Sequence, residues 1–92
     1  MHKMETQDPY SILEYPLSTE KAVREMEAEN KLVFMVALNS NKRQIRWAVQ
    51  KAFNAKVLAV RTEITPEGKK KAIIKLSPET PASEITTQLG LV

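Results

Sequence analysis

An uninterrupted apolar run over residues 32–38 limits what this 92-residue chain can fold into. Side chains of an extended strand alternate between the two faces of a sheet, so this run puts apolar groups on both faces. Such a strand is stable only when both faces are covered, which predicts a central strand over residues 31–38. The run is far shorter than the ~20 apolar residues of a membrane-spanning helix, so we expect no membrane insertion.

The segments on either side of this strand have helical patterns. Ser18-Thr19-Glu20 places a hydroxyl and an acid at a helix start, and predicts a helix that ends near Asn30. Asn41 is positioned to cap a second helix, from Lys42 to about Phe53. The predicted core stripe of this second helix consists of Ile45, Ala48, Val49, Ala52 and Phe53. Trp47 falls almost opposite the centre of that stripe.

The second half of the chain predicts a β-hairpin followed by a short helix. Two strands, over residues 56–64 and 70–77, are joined by a loop in which Gly68 can adopt positive φ. One face of the hairpin is predicted to carry Leu58, Val60, Thr62, Ile64, Ala72, Ile74 and Leu76. The other face is predicted to carry Arg61, Lys71, Ile73 and Lys75. Thr80-Pro81 then opens a helix that Gly90 ends.

The N-terminal part of the chain predicts a flexible arm over residues 1–8 and a single domain over residues 9–92. The segment 10–15 lies between Pro9 and Pro16 and predicts a strand at a sheet edge. Together the elements predict an α+β fold with an antiparallel four-stranded sheet packed by helices. Their order is β-α-β-α-β-β with a short C-terminal helix.

The residue types present exclude the common kinds of catalysis. The chain has no cysteine, its single histidine is His2, and its only glycines are Gly68 and Gly90. Thiol nucleophiles, a histidine general base and a glycine-rich phosphate loop are therefore absent. Acylphosphatase is an enzyme of similar size with an α/β sandwich fold, but this chain lacks the glycine-rich loop with which that enzyme binds phosphate. We expect no enzymatic activity, no cofactor and no metal site.

Charge is strongly segregated along the chain. Residues 1–30 hold three basic and seven acidic side chains, whereas residues 31–75 hold eleven basic and two acidic ones. One strongly positive segment in a globular domain predicts a polyanionic partner on that side, and the alternative is a solvated, lysine-rich surface. The strands offer only Phe34 for stacking and no GXXG loop exists, so RNA recognition by shape and phosphate position is favoured.

Two clusters of cations carry this prediction. The first comprises Lys42, Arg43 and Arg46, within one turn at a helix start, where free N–H groups also favour an anion. The second, at the hairpin tip, comprises Lys69, Lys70 and Lys71, which follow Gly68, with Arg61 and Lys75 beside them. Trp47, next to the first cluster, has three open explanations: stacking on an unpaired base, packing on a neighbouring protein, or burial beneath another part of the chain.

Four stretches follow the motifs of one known family in order. They are Pro16-Leu17-Ser18-Thr19-Glu20-Lys21, Asn30-Lys31-Leu32-Val33-Phe34-Met35-Val36, Asn41-Lys42-Arg43-Gln44-Ile45, and Lys70-Lys71-Ala72-Ile73-Ile74-Lys75-Leu76-Ser77 followed by Ile85. Over residues 9–92 the chain thus resembles the large-subunit ribosomal protein L twenty-three family, which rims the polypeptide exit tunnel. The short hairpin and the ending Leu89-Gly90-Leu91-Val92 resemble the archaeal and eukaryotic branch.

This resemblance implies a split β-α-β type fold in a structural protein of the large ribosomal subunit, cytoplasmic and ribosome-bound. It implies binding to large-subunit rRNA, contact with a neighbouring large-subunit ribosomal protein at the tunnel exit, and transient docking of signal recognition particle and the translocon. The alternatives that the sequence leaves open are an RNA-binding module outside the ribosome and a protein–protein adaptor.

The site residues expected from the charges and the resemblance together form two sets. The RNA-binding set is Thr19, Lys21, Asn41, Lys42, Arg43, Arg46, Lys56, Arg61, Gly68, Lys69, Lys70, Lys71 and Lys75. The partner-docking set is Glu20 and Trp47. Glu20 matches an acid that contacts a ribosome-bound chaperone in bacterial members, whereas Trp47 departs from the family pattern.

Overall fold

The computed structural model describes residues 8–89, which form four helices and one four-stranded sheet. In chain order the elements are α1 (Pro9–Ile12), β1 (Leu13–Pro16), α2 (Glu20–Glu29), β2 (Lys31–Val36), α3 (Lys42–Phe53), β3 (Val57–Ile64), β4 (Lys70–Leu76) and α4 (Ala82–Gln88). All strand pairs are antiparallel, in the order β1-β2-β4-β3. The predicted α+β class and antiparallel sheet are confirmed. The predicted stop at Gly90 and residues 1–7 of the predicted arm lie outside the described residues.

The sheet separates two apolar clusters. Phe34 of β2 packs with Ile45 of α3 in the main core, where both are almost completely buried. The next residue toward the N-terminus, Val33, lies opposite Ile73 of β4 and packs with Ala22 of α2 in a smaller cluster. Because cross-strand partners point to the same face and neighbours along a strand to opposite faces, α3 and α2 cover opposite faces of the sheet.

The apolar run forms the central strand that its pattern predicts. β2 pairs with β1 on one side and β4 on the other, and its residues 32–36 are all buried. The strand nevertheless stops at Val36, two residues short of the prediction. Leu38 lies in the following turn with 58% of its surface exposed, because the chain must leave the sheet there to reach the Asn41 cap of α3.

The N-terminal segment differs from its prediction. Residues 10–12 belong to the one-turn helix α1, and only Leu13–Pro16 is extended. Asp8 caps this turn by accepting a hydrogen bond from the Tyr10 N–H at 3.0 Å, and Pro9 occupies the first helical position, which suits its fixed φ. The strand that follows lies at the sheet edge, as predicted.

A β-bulge changes the predicted face pattern of the hairpin. The register shifts between Val57 and Ala59, so Val57 and Val60 are both buried while Leu58 is 50% exposed. The prediction that Leu58 faces the core with Val60 is therefore wrong, because one extra residue in β3 breaks the alternation. On the other face the register is as predicted, since Arg61 lies opposite Ile73.

Asn30 connects three elements at one end of the sheet. It adopts the left-handed conformation with φ of 57° and ends α2. Its side-chain Nδ2 donates to the carbonyl oxygens of Leu76, Ser77 and Thr80 at 3.0–3.2 Å, and its Oδ1 accepts from the Ala82 N–H at 2.7 Å. This network fixes the end of β4 and the start of α4 against the end of α2.

Candidate nucleic-acid interface

The start of α3 is held by a reciprocal capping box. The Asn41 Oδ1 accepts from the Gln44 N–H at 2.8 Å, and the Gln44 Oε1 accepts from the Asn41 N–H at 2.9 Å. The N–H groups of Asn41 and Gln44 are therefore hydrogen-bonded within the chain and are not free to bind an anion at this helix start. The cap instead fixes the direction of the helix that carries the first basic cluster.

Three cations at the start of α3 form what we call the helix-side group: Lys42, Arg43 and Arg46. All three are exposed, and with Val60 of β3 they line a surface hollow of about 300 Å³. The Arg46 Nη2 also donates a long hydrogen bond of 3.4 Å to the Leu58 carbonyl oxygen on β3. Guanidinium and ammonium groups around one hollow are the donors that phosphate oxygens attract most strongly. The structure therefore brings the first predicted cluster together.

The hairpin lysines do not act as one triplet. Lys69 is exposed in the loop, next to Gly68, whose φ of 81° is the left-handed conformation that the turn requires. Lys70 is half-buried, and its Nζ donates to the Ser40 carbonyl oxygen at 2.6 Å, which ties the hairpin to the loop before α3. Lys71 points to the opposite face of the sheet, where its Nζ lies 3.5 Å from a carboxylate oxygen of Glu63.

Four cations on the α2 face of the sheet form what we call the strand-side group: Lys31, Arg61, Lys71 and Lys75. The register places them together, because Lys31 lies opposite Lys75, and Lys71 lies between Met35 and Glu63. The single positive segment, residues 31–75, predicted a polyanionic partner on one side of the molecule, where its cations would meet. They are instead divided between both faces of the sheet, since odd and even strand positions point in opposite directions.

Glu29 at the end of α2 partly neutralises the strand-side group. Its carboxylate lies 2.8 Å from the Lys31 Nζ, and its backbone oxygen accepts from the Lys75 Nζ at 2.6 Å. The hydrogen bond from Lys31 and the charges of Lys31 and Lys75 lower the pKa of Glu29 below its ordinary 4.5. The strand-side group is therefore weaker toward an external anion than its four positive charges suggest.

The two groups meet at β3, the strand at one edge of the sheet. Arg61 lies on the α2 face of β3, while Arg46 reaches the Leu58 carbonyl oxygen of the same strand from α3. Lys56 immediately precedes this strand, exposed and 3.7 Å from Glu79. A nucleic-acid backbone that follows this edge can therefore contact cations of both groups. A backbone that lies flat on one face of the sheet can contact only the group on that face.

The predicted residues at the start of α2 lie apart from the helix-side group. Thr19 caps the helix, with its Oγ1 accepting from the Ala22 N–H at 3.2 Å, and Lys21 is exposed in the first turn. Glu20 pairs with Arg24 at 3.5 Å, and both side chains are more than 70% exposed. Such a surface pair contributes little to stability and leaves Glu20 available to a partner.

Trp47 is less exposed than its position on the helical wheel predicts. It is half-buried and packs against the main core cluster. A helical wheel gives only the direction of Cβ, whereas an indole is long enough to fold back over the apolar surface beside the helix. Packing within the chain, one of the three explanations left open, therefore accounts for part of this side chain.

Sequence reasoning missed Asn30 as an organising residue. A signal existed, because asparagine tolerates the left-handed conformation that ends many helices. Its four side-chain hydrogen bonds, however, reach residues 46 to 52 positions away, and a single sequence does not reveal such partners.

Residues 8–89 contain no group of three or more His, Cys, Asp and Glu side chains that could hold a metal ion. None of the helices in the same part of the chain has the length and apolar character needed to cross a bilayer.

Comparison with known proteins adds independent information. The profile of the family described as Ribosomal protein L23 matches residues 11–76. The chain is also 41% identical over all 92 residues to the large ribosomal subunit protein uL23 of Dictyostelium discoideum. The match covers 54% of that relative, so the chain spans about half its length.

Proposed function

This chain belongs to the ribosomal protein L23 family, a family of structural proteins of the large ribosomal subunit and not of enzymes, and from that premise we propose that its basic surfaces bind large-subunit rRNA near the polypeptide exit tunnel. The domain over residues 9–92 is the part of the chain that we propose binds rRNA. The protein works in the cytoplasm, bound to the ribosome. It contacts a neighbouring large-subunit protein there and offers a docking surface to nascent-chain factors.

The observation that carries the rRNA proposal is the helix-side group. Its three exposed cations surround one hollow, and α3 contains no acid that would neutralise them. The capping box and the buried face of α3 fix the backbone from which these side chains extend before RNA arrives. The three cations therefore start from one place on the surface, so that together they can position the phosphate groups of an RNA backbone.

The β3 edge and the hairpin extend this surface. Arg61 and Lys56 lie along the edge, and Lys69 with Gly68 forms the projecting tip. Gly68 has no heavy atom of a neighbouring element within 4 Å of the position that a Cβ would take, so its backbone is open to close approach. Lys70, Lys71 and Lys75 contribute charge behind this edge, with part of their hydrogen-bonding capacity used within the chain.

The docking proposal rests on α2. This helix covers the sheet face opposite α3 and holds four acidic and two basic side chains. Glu20 at its exposed start is the residue that we propose contacts signal recognition particle, and the translocon uses the same exposed region. Trp47, half-exposed on α3, contacts the neighbouring ribosomal protein.

The rRNA proposal is tested by the salt dependence of binding to a large-subunit rRNA fragment. If about six cations each contact a phosphate, the slope of log affinity against log salt is about −5. A slope near zero would reject phosphate-based binding. Lys69→Gln is the sharpest single change at the tip, because Lys70→Glu and Lys71→Glu also break the contacts to Ser40 and Glu63. Lys69→Gln should lower affinity equally across RNA sequence variants, since lysine reads charge and not bases.

Docking is tested on ribosomes that carry Glu20→Ala. Signal recognition particle should bind them more weakly than wild-type ribosomes. Glu84→Ala is the matched control, because Glu84 is also an exposed acid in the first turn of a helix. Equal affinity for all three ribosomes would remove Glu20 from the docking surface and leave the rRNA proposal untouched.

A further inference from the structure

One peptide group just before α3 is hydrogen-bonded at both of its ends. Its carbonyl oxygen, from Ser40, accepts a hydrogen bond from the Lys70 Nζ at 2.6 Å. Its N–H, from Asn41, donates to the Gln44 Oε1 at 2.9 Å. Because a peptide group is a rigid plane, these two hydrogen bonds fix the orientation of the backbone from which α3 starts.

The loop on the N-terminal side of this peptide group is held as well. The Ser40 N–H and the Ser40 hydroxyl both donate to the Ala37 carbonyl oxygen, at 3.0 Å and 2.6 Å, and Ser40 is only 4% exposed. The Ala37 N–H in turn donates to the Ile12 carbonyl oxygen at the end of α1, at 2.9 Å. Lys70 adds the connection from this loop to β4.

Lys70 differs from the lysines on either side of it. Lys69 is exposed in the hairpin loop, and Lys71 is paired with Glu63. Lys70 is half-buried in β4, and within residues 8–89 no acid forms an ion pair with its ammonium group. That ammonium group is bound instead to a backbone oxygen, and a phosphate would have to compete with this short hydrogen bond.

We propose that Lys70 is a positioning residue for the RNA-binding surface and does not itself contact phosphate. This role rests on the proposed function, because the groups that Lys70 positions are the cations proposed to bind rRNA. Lys69 at the hairpin tip is its neighbour in the chain, and Lys42 of the helix-side group lies two residues after Ser40. The hydrogen bond from Lys70 to Ser40 therefore fixes the hairpin tip relative to the helix-side group before RNA binds.

The salt dependence of binding to a large-subunit rRNA fragment separates positioning from direct contact. Lys70→Met should weaken binding at least about fivefold, because the hydrogen bond that orients the surface is lost, while the salt slope changes by less than ~0.5. Lys69→Met should lower the magnitude of the slope by about one, as loss of a phosphate contact does. Lys70→Arg keeps a donor and a charge, and should restore most of the wild-type affinity.

Two results of this experiment would overturn the positioning role. One is an equal change of slope in Lys70→Met and Lys69→Met, which would make Lys70 a direct phosphate contact. The other is unchanged affinity in Lys70→Met. Failure of the rRNA proposal itself gives a different result, a wild-type slope near zero.

Hydrogen exchange of the free protein tests the same hydrogen bond without RNA. Lys70→Met should raise the exchange rates of the Asn41 and Gln44 amides at least about fivefold, because the peptide group that orients their cap is released at its carbonyl end. Lys75→Met is the matched control, since the Lys75 Nζ also donates to a backbone oxygen at 2.6 Å, but at Glu29. It should leave these two amides unchanged. Equal rates in wild type and Lys70→Met would contradict the positioning role.

Acylation of lysines in the wild-type protein provides a test that needs no variant. An amine-reactive reagent should modify Lys70 more slowly than Lys69 in the free protein, because Lys70 is half-buried and hydrogen-bonded. Addition of the rRNA fragment should protect Lys69 and Lys42 and leave the rate at Lys70 unchanged. Protection of Lys70 by RNA as strong as that of Lys69 would show direct contact and overturn the proposal.

Discussion

Helices α2 and α3 cover opposite faces of the same sheet, and each ends at an asparagine in the left-handed conformation. Their charges are opposite. α3 carries four basic and no acidic side chains, whereas α2 carries four acidic and two basic ones. The sheet lies between them, so the basic helix that we propose binds rRNA and the acidic helix that we propose docks a protein partner are on opposite faces.

The two helices also differ in how firmly they are held. Ile45, Ala48 and Val49 of α3 are completely buried, whereas the one buried residue of α2, Ala22, is still 7% exposed. A deeply packed helix keeps fixed the backbone from which its exposed cations extend, which favours recognition of a rigid RNA. A shallowly packed one is easier to displace by a partner. The more deeply packed helix is thus the one that carries the proposed phosphate contacts, and the less deeply packed helix carries the proposed protein contact.

The largest expected difference concerns the asparagines that end the two helices. Asn30→Gly keeps the left-handed conformation but removes four side-chain hydrogen bonds, and should lower the free energy of unfolding by about 3 kcal/mol. Asn54→Gly should change it by less than ~0.5 kcal/mol, because the Asn54 side chain makes no hydrogen bond within residues 8–89 and glycine accepts its φ of 52°. Urea denaturation of both variants measures this, and equal losses would contradict the role assigned to Asn30.

A matched valine pair measures the depth of packing. Val49→Ala should cost about 2 kcal/mol, since the side chain is 0% exposed and its removal leaves a cavity in the main core. Val23→Ala should cost about 0.5 kcal/mol, because Val23 is 37% exposed and alanine favours the helix. Urea denaturation again provides the comparison. A cost for Val23→Ala as large as that for Val49→Ala would show that α2 is anchored as firmly as α3.

A lysine pair compares the RNA contacts of the two helices. Lys42→Gln should lower the magnitude of the salt slope for rRNA binding by about one, since its charge acts together with Arg43 and Arg46 at one hollow. Lys21→Gln should lower it by less, because Glu20 lies beside it and its helix covers the opposite face. Filter binding over a range of salt concentrations decides this. A larger effect of Lys21→Gln would move the main RNA contact to α2.

The smallest expected effect is on the pH dependence of stability. The folded pKa of Glu29 is lowered, mainly by its hydrogen bond with Lys31, so its contribution is present above the unfolded pKa of about 4.5 and is lost as the pH falls through the folded value. Glu29→Gln should therefore lose less stability than wild type between pH 7 and pH 3 in urea denaturation. An identical decline in both proteins would show that this ion pair does not stabilise the fold.

Local signals in the sequence predicted most of the fold. Asn41 and Gln44 form a capping box, and the boundaries of α3 agree with the prediction because capping depends on residues four positions apart at most. The central position of β2 followed from its apolar pattern alone. The one-turn helix α1 was missed, although Asp8-Pro9 carries a cap and a first-turn proline, because Pro9 and Pro16 were interpreted as the bounds of a strand.

The arrangement of the site depended on contacts that a single sequence does not encode locally. The bulge at Leu58 shifts the face of every residue before it in β3, and no local pattern announces it. The basic segment is continuous along the chain, yet pairing register sends Lys70 to the α3 face and Lys71 to the α2 face. Alternation along the hairpin strands predicted the shared face of Arg61, Lys71 and Lys75, whereas the hydrogen bond of Lys70 to Ser40 joins residues 30 positions apart and has no local signal.

The most direct test of the central claim compares two positions on α3. The double variant Lys42→Gln and Arg43→Gln removes two cations of the helix-side group, and Lys51→Gln removes an exposed lysine from the other end of the same helix. With a large-subunit rRNA fragment, the double variant should lower the magnitude of the salt slope by about two while Lys51→Gln leaves it unchanged. Equal slopes for wild type and both variants would contradict the claim that the start of α3 binds phosphate.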